Sequence, residues 1–369
     1  KLLGIYLLSR ICVDLFAFEH GSPMSWALMI LGVVTIICAV MMALIQRDFK
    51  RLLSYHAVSQ VGYMILGIGT GLPVGIVGGL FHMLNNAVYK CCLFLTAGAV
   101  EKQTGTTNLN RLGGLLRKMP FTGACFLVAA ASIAGFPMTN GFFSKELIFD
   151  GALESGFAFY LIAMVGAFFT SVSFLKLGHA VFFGKPTEAA ESAREVPWAM
   201  RVPMLCMAAA CLLLGLFQSF VVGHLLTPVL GAHAAGGHIG GHVNWLLVGA
   251  SVGLLMLACL DHLRGFRKTG KGVEAADHFH HAPVLRTVYH LAEQKYFDPY
   301  ELSRRFIGGY AALSLKINDA ISRFYDVFVV RAVGGLSALI RRAHTGSQSL
   351  YVIWVLCGVV ITAVIFLLS

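Results

Sequence analysis

Apolar runs long enough to cross a bilayer constrain this chain more than any other feature. They lie at about 2–18, 25–46, 52–71, 74–100, 120–154, 157–183, 199–223, 244–263 and 350–368. A hydrocarbon core near 30 Å thick is crossed by about 20 residues of helix, so there are nine candidate spans. The chain is 57% hydrophobic and only 12% charged, about half the charge of an ordinary soluble domain. A water-soluble fold is excluded. The expected class is all-α: a polytopic membrane helical bundle with a broken helix and a long lateral amphipathic helix.

The net charge of +10 suggests nucleic acid in a soluble protein, but here the placement of the charges decides the reading. Fourteen of the 28 basic residues fall in the turns after the second, fourth, sixth and eighth runs, from Arg47, Lys50 and Arg51 to Arg264, Arg267, Lys268 and Lys271. The alternate turns at 19–24, 72–73, 155–156 and 224–243 hold none. By the positive-inside rule Lys1 starts on the cytoplasmic side and Ser369 ends on the opposite one. The excess is an orientation signal, and no nucleic-acid partner is expected. Lys1 also opens inside an apolar run without an initiator Met or a signal sequence, which reads as a fragment lacking an upstream part.

Nine more basic residues lie in the segment 283–345. Asp298 can cap a helix that starts at Pro299, and Gly346 can close it, giving about 45 residues and roughly 65 Å. Leu302, Phe306, Tyr310, Leu313, Ile317, Ile321, Phe324 and Phe328 recur at three and four, while Arg305, Lys316, Asp319, Arg323 and Asp326 interrupt the segment too often for a span. It reads as an amphipathic helix on the membrane surface, or as a strut reaching other subunits.

Five basic residues remain inside spans: Lys1, Arg10, Lys90, Lys145 and Lys176. A charge at mid-bilayer costs at least about 2.5–3.5 kcal/mol on insertion scales, so such residues are functional candidates. In the fourth run His82, Asn86 and Lys90 stand at i, i+4 and i+8, on one helix face. The stripe reads either as a proton relay, with a lysine that loads and unloads a proton, or as hydrogen bonding that joins helices. In the fifth run Gly135-Phe136-Pro137-Met138-Thr139-Asn140-Gly141 breaks the helix, and Phe142-Phe143-Ser144-Lys145-Glu146 restarts it. Broken helices at membrane depth need protein or a wet cavity around them and mark transport sites. Lys145 sits just past the break with Glu146 as a neighbouring carboxylate; a proline kink with a snorkelling lysine is the plainer reading.

Arg10 and Asp14 read as a structural pair near the surface, and Lys176, with His179 near the end of the sixth run, reads as snorkelling. Ser54, Tyr55, His56, Ser59 and Gln60 bring polar groups to the relay layer, mainly as packing hydrogen bonds. Cys12, Cys38, Cys91, Cys92, Cys125, Cys206, Cys211, Cys259 and Cys357 lie in apolar runs without a C-x-x-C pair and read as small hydrophobes. The Gly-rich loop with His233, His238 and His242, and the group His278, His280 and His281, read as mobile polar segments in preference to metal sites. No cofactor or metal site is expected, and the chain should carry no electrons.

The runs Phe81-His82 to Lys90 with Leu93-Phe94-Leu95-Thr96-Ala97-Gly98-Ala99, Gly135-Phe136-Pro137 with Gly141-Phe142-Phe143-Ser144-Lys145-Glu146, and Ser59-Gln60-Val61-Gly62-Tyr63 resemble the antiporter-like proton-pumping subunits of respiratory complex I. The long amphipathic segment behind Tyr296-Phe297-Asp298 looks like the lateral helix of its subunit L, the mitochondrial subunit 5 type. The resemblance implies two inverted five-helix repeats. Residues 1–18 are then the last helix of the first, 19–184 the second repeat with a proton half-channel, 185–282 two further spans with loops, 283–345 the lateral helix, and 346–369 the last span.

It also implies proton-relay roles for Lys90, Lys145 and His82, with Glu146 and Asn86 beside them, and for Lys1 as the lysine joining the half-channels. Asn86 departs from the pattern: many subunit L sequences have a titratable histidine there, which points toward a hydrogenase-type or antiporter-type relative. The implied function is proton translocation, with Na⁺ as the other candidate ion, coupled to electron transfer in partner subunits of a bacterial inner-membrane NADH-quinone oxidoreductase. The alternatives are a subunit of a cation/proton antiporter, a membrane-bound hydrogenase, a formate hydrogenlyase or an inorganic-carbon-uptake complex, and a non-conducting scaffold. The lipid bilayer and other membrane subunits, reached through the lateral helix, are the expected partners.

Overall fold

The computed structural model describes residues 2–231, 245–280, 282–294 and 299–368. It is all-helical: among the described residues the one β-type contact is an isolated bridge between Asp48 and Asn108. The chain is an integral, multi-pass membrane helical bundle. It divides into two compact units, residues 1–289 and 290–369.

The first unit opens with α1 (Leu2–Ser9), continued by a π-helical turn, Arg10–Leu15. Arg10 pairs with Asp14 at 2.6 Å, with both side chains more than a third exposed, so the pair contributes little. The next helices are α2 (Pro23–Leu44), α3 (Phe49–Gly69) and α4 (Pro73–Thr104). Their ends carry the expected punctuation. Ser22 accepts from the Ser25 amide at 3.2 Å and Asp48 from the Arg51 amide at 2.8 Å, and Pro23 and Pro73 occupy first turns, where a missing N–H costs nothing. α5 (Pro120–Ala134) and α6 (Asn140–Ser155) are two halves of one interrupted span, followed by α7 (Phe157–Gly178), which runs into a π-turn, His179–Phe183. α8 (Trp198–Leu216) and α9 (Trp245–Thr269) complete the bundle, and α10 (Pro283–Glu293) begins in this unit, with Tyr289 buried against Met41.

Among the described residues six helices, α2, α4, α7, α8, α9 and the C-terminal one, are by length and composition able to cross a membrane. α3 has the length, but its polar groups from Lys50 to Gln60 lower its apolarity. The seventh run, expected to continue to 223, is interrupted at Phe217, which leaves helical geometry, and resumes as helical turns from Gln218 to Leu230.

α3 and α4 sit at the centre. α3 lies against α2, α4 and α6, and α4 touches α5, α6 and α8 as well. α2 and α3 approach backbone to backbone. A Cβ on Gly32 would lie 2.8 Å from the Leu66 nitrogen, and one on Gly62 would lie 2.8 Å from the Gly32 carbonyl oxygen. Small residues at membrane helix contacts permit this closeness, and dispersion then provides the attraction that lipid cannot. The outcome for the centre is that polar side chains of α3, α4 and α6 are wholly buried among helices.

The second unit contains a continuous helix, α11, made of Pro299–Arg323, a π-turn at Phe324–Val329, and Val330–Ala343. Its apolar stripe is exposed, from Phe306 at 77% to Leu302 at 49%. The expected length is reached; the capping residue Asp298, with Tyr296 and Phe297, lies outside the described residues. The helix ends at Ala343 with His344 as its cap; Gly346, expected to close it, lies beyond that end at φ +76°. α12 (Gln348–Leu368) follows.

Candidate functional site

The site is built around the break between α5 and α6. Gly135 closes α5 at φ +84° and Met138 also lies at positive φ, +70°. The Phe136 amide reaches back to the Ala131 carbonyl at 2.9 Å. α6 restarts against α5: the Gly141 amide donates to Ser132 Oγ at 3.2 Å, and Ser132 itself donates to Asn140 Oδ1. A Cβ on Gly141 would lie 1.9 Å from the Ser132 carbonyl oxygen, so only glycine fits there.

The last carbonyls of a helix have no partner of their own. Lys145, 2% exposed, donates its Nζ to one of these, the Ile133 carbonyl, at 2.6 Å. The negative end of the α5 dipole is thus where the ammonium rests. The Tyr63 ring lies 5.3 Å from the same Nζ, close enough for a cation–π contact, and the Tyr63 hydroxyl is fixed by the Ala163 carbonyl at 2.8 Å. Snorkelling is therefore not what Lys145 does.

Ser144, next to Lys145, links this end to α4. Its Oγ lies 2.9 Å from His82 Nδ1. His82 Nε2 lies 3.0 Å from Gln60 Oε1 and 3.3 Å from the Tyr89 hydroxyl, and Asn86 Nδ2 donates to that hydroxyl at 3.0 Å. His82, Asn86, Gln60, Tyr89 and Ser144 form one buried network. Because Gln60 Oε1 accepts, His82 carries its proton on Nε2 and takes a hydrogen bond from Ser144 on Nδ1. Lys90 lies one turn from Asn86, donates to the Leu53 carbonyl at 2.9 Å, and has the Phe174 ring 5.8 Å from its Nζ.

Glu146 makes no ion pair with Lys145 among the described residues; its Oε1 accepts from Ser251 on α9 at 2.6 Å. Both side chains nevertheless line one small cavity of about 10 Å³, with Gly135 and Ser251, which is room for about one water. Lys1 lies outside the described residues, as do His233, His238, His242 and His281. Among the described residues no three His, Cys, Asp or Glu side chains gather as a metal site.

Lys176 departs from expectation. It is fully buried and donates to the carbonyls of Leu44, at 2.5 Å, and Gln46, at 3.1 Å. It serves the open C-terminus of α2 and does not snorkel. The sequence does not single out Tyr89 and Ser144 as site residues. Tyr89 reads there as one more aromatic in an apolar helix, and Ser144 meets His82 only through folding. His56, read from sequence mainly as packing, sits wholly buried at 2.8 Å from Ser173.

Residues 1–170 match the family described as NADH:quinone oxidoreductase/Mrp antiporter, transmembrane. The chain is 35% identical to NADH-quinone oxidoreductase subunit N of Desulforudis audaxviator, over 62% of this chain and 48% of that protein. It is 34% identical to a Na(+)/H(+) antiporter subunit of Alkalihalophilus pseudofirmus, over 58% of this chain and 43% of the relative. Hydrogenase-4 component B of Escherichia coli is 28% identical over 97% of this chain and 62% of its own length. Respiratory complex I from Thermus thermophilus contains a chain of similar fold, with TM-score 0.58, 26% identity, and coverage of 64% of this chain and 50% of that one. The chain thus spans less than half the length of the first two relatives. The resemblance to antiporter-like membrane subunits is borne out.

Proposed function

We propose that this chain is a proton-translocating membrane subunit of an NADH-quinone oxidoreductase-type complex, in which Lys145 and Lys90 exchange protons through the Ser144–His82–Gln60–Tyr89–Asn86 network. One observation carries the reading. Two buried lysines rest their amines on backbone carbonyls, and a string of hydrogen-bonding side chains runs between the helices that hold them. At Lys145 the partner is a carbonyl, which stabilises the ammonium less than a carboxylate would and leaves the neutral amine accessible. Among the described residues Gln60 Nε2, Asn86 Oδ1 and Asn140 Nδ2 are buried without protein partners. Such atoms cost about 1–3 kcal/mol each when left dry and are satisfied by ordered water, the medium a proton file uses.

Glu146 lines the same cavity as Lys145 and can exchange a proton with it through one water. Residues 19–184 are then one five-helix repeat, with the remaining spans and the amphipathic helix α11 outside it. α11 reaches partner subunits with its exposed apolar stripe, and a bacterial inner membrane is the proposed location. A hydrogenase-type host complex is the second reading. It is favoured by the length of the alignment with hydrogenase-4 component B, 97% of this chain against 62% for the quinone oxidoreductase subunit, and by Asn86 in place of a histidine.

The test is Lys145→Ala in the assembled complex reconstituted in vesicles. Proton pumping is expected to vanish while assembly stays intact; unchanged pumping assigns the chain a scaffold role.

A further inference from the structure

The basic end of the bundle holds a second set of buried titratable side chains, which the relay above does not use. α7 carries Ser173, Lys176 and, in its closing turn, His179 at three-residue intervals, about 4.5 Å of rise each. His179 Nδ1 lies 3.0 Å from His262 Nε2 on α9. His179 is partly buried and His262 buried; both edge a groove otherwise lined mainly by apolar side chains such as Phe183 and Met256, and Gly272 of the basic-end loop packs on the His179 ring, whereas Lys176 and Ser173 are wholly enclosed. Ser173 Oγ lies 2.8 Å from His56 Nε2. The His56 ring packs on Phe174 at 4.8 Å between centroids, and Lys90 Nζ stands 5.8 Å from that same Phe174 ring. Lys90, Lys145 and Lys176 are all within electrostatic range of His56.

We propose that the His179–His262 pair takes up protons at the basic end of the bundle, and that Lys176, Ser173 and His56 carry them to Lys90. The inference rests on the reading of Lys90 as a relay group, and adds a route that supplies it. Two imidazole nitrogens 3.0 Å apart share one proton, because one must donate while the other accepts. A proton added to the pair from the surface therefore displaces one toward the interior. Lys176 holds two of its three protons on the Leu44 and Gln46 carbonyls, which leaves one to hand on. The Ser173 hydroxyl accepts a proton as it releases its own to His56 Nε2, and His56 passes one to the Lys90 amine. Each step moves one proton, and no group ends with a changed charge once the next proton has entered.

Simple structural joining of helices accounts less well for these histidines. Among the described residues His56 Nδ1 and His262 Nδ1 are both buried without a partner, a cost an apolar pair would avoid. A titrating group uses both of its nitrogens in turn. Arg47 and Asp277, paired at 2.5 Å, both act electrostatically on Lys176. Beside His262, Asp261 holds His278 at 3.1 Å, while Phe266 flanks the His179 ring at 4.3 Å.

The experiment compares four versions of the whole complex in vesicles: wild type, Lys145→Ala, His56→Gln, and His179→Gln with His262→Gln. Glutamine keeps a hydrogen-bonding group but cannot titrate. The two histidine variants are expected to pump at least tenfold more slowly at equal assembly. In the paired variant the residual rate should lose its dependence on pH at the basic face and keep it at the other. If Lys145→Ala stops pumping while both histidine variants pump as wild type, the access route is refuted and the relay stands. If Lys145→Ala pumps normally, the relay itself is refuted. Should His56→Gln fail to assemble, the surface pair decides alone.

Discussion

Ser144→Ala tests the link between the two lysines without touching either. The substitution removes a hydroxyl that lies 2.9 Å from His82 Nδ1 and 3.2 Å from the Asn140 carbonyl. The lost hydrogen bond is worth about 0.5–1.5 kcal/mol net, and a stranded, buried imidazole nitrogen costs about 1–3 kcal/mol more. Taking about 2 kcal/mol for the sum, and a factor of ten for each 1.4 kcal/mol or so, transfer through His82 slows about 30-fold. Stability changes by the same order, which a large bundle tolerates. Alanine fits, since it only removes an atom. The assay reconstitutes the assembled complex in vesicles and follows internal pH alongside electron-transfer rate. The expected outcome is slowed acidification with electron transfer uncoupled from it or slowed with it; Ser144→Cys, which keeps a weak donor, should fall between. Acidification within twofold of wild type would show that protons do not pass the Ser144–His82 contact.

Elsewhere the structure predicts contrasting responses. Gly62→Ala places a methyl 2.8 Å from the Ile36 nitrogen, so it should destabilise the α2–α3 contact by about 1–3 kcal/mol, read as a lower melting temperature of the detergent-solubilised complex. Arg47→Ala breaks a partly exposed pair with Asp277 and should change that temperature little, since such pairs are worth about 0–1 kcal/mol. Removal of residues 299–343 should leave residues 1–289 folded but weaken assembly or coupling, measured by native electrophoresis and pumping; a truncated complex purified whole and fully active would remove the strut role of α11.

Much of this site can be read before the fold is known, and the limits have a common cause. His82, Asn86 and Lys90 are legible because a helix repeats its face every three or four residues, and a polar stripe inside an apolar run stands out against it. The break at 135–141 is legible because proline and glycine act locally. α11 is legible from its periodicity over many turns. What escapes are contacts between helices. Ser144 meets His82 across 62 positions, and Lys145 and Lys176 find backbone carbonyls, which every residue carries and no pattern marks. Lys176 shows the effect most plainly. From sequence a lysine seven residues from the end of a run snorkels, yet α2 ends beside it with open carbonyls and holds it inside. His56 reads as packing for a similar reason: its partner, Ser173, lies 117 positions away.

The central claim is that Lys145 and Lys90 are successive stations of one proton path. The most direct measurement is the number of protons moved per electron pair by the intact complex in vesicles carrying Lys145→Met or Lys90→Met. Replacing a buried charge by an apolar side chain of similar length is often neutral or stabilising, so both complexes should assemble and still transfer electrons. The account predicts that each substitution brings the proton count to zero while electrons still flow, and that the double variant behaves as either one. Counts equal to wild type in either variant, or losses that add in the double variant, would contradict it.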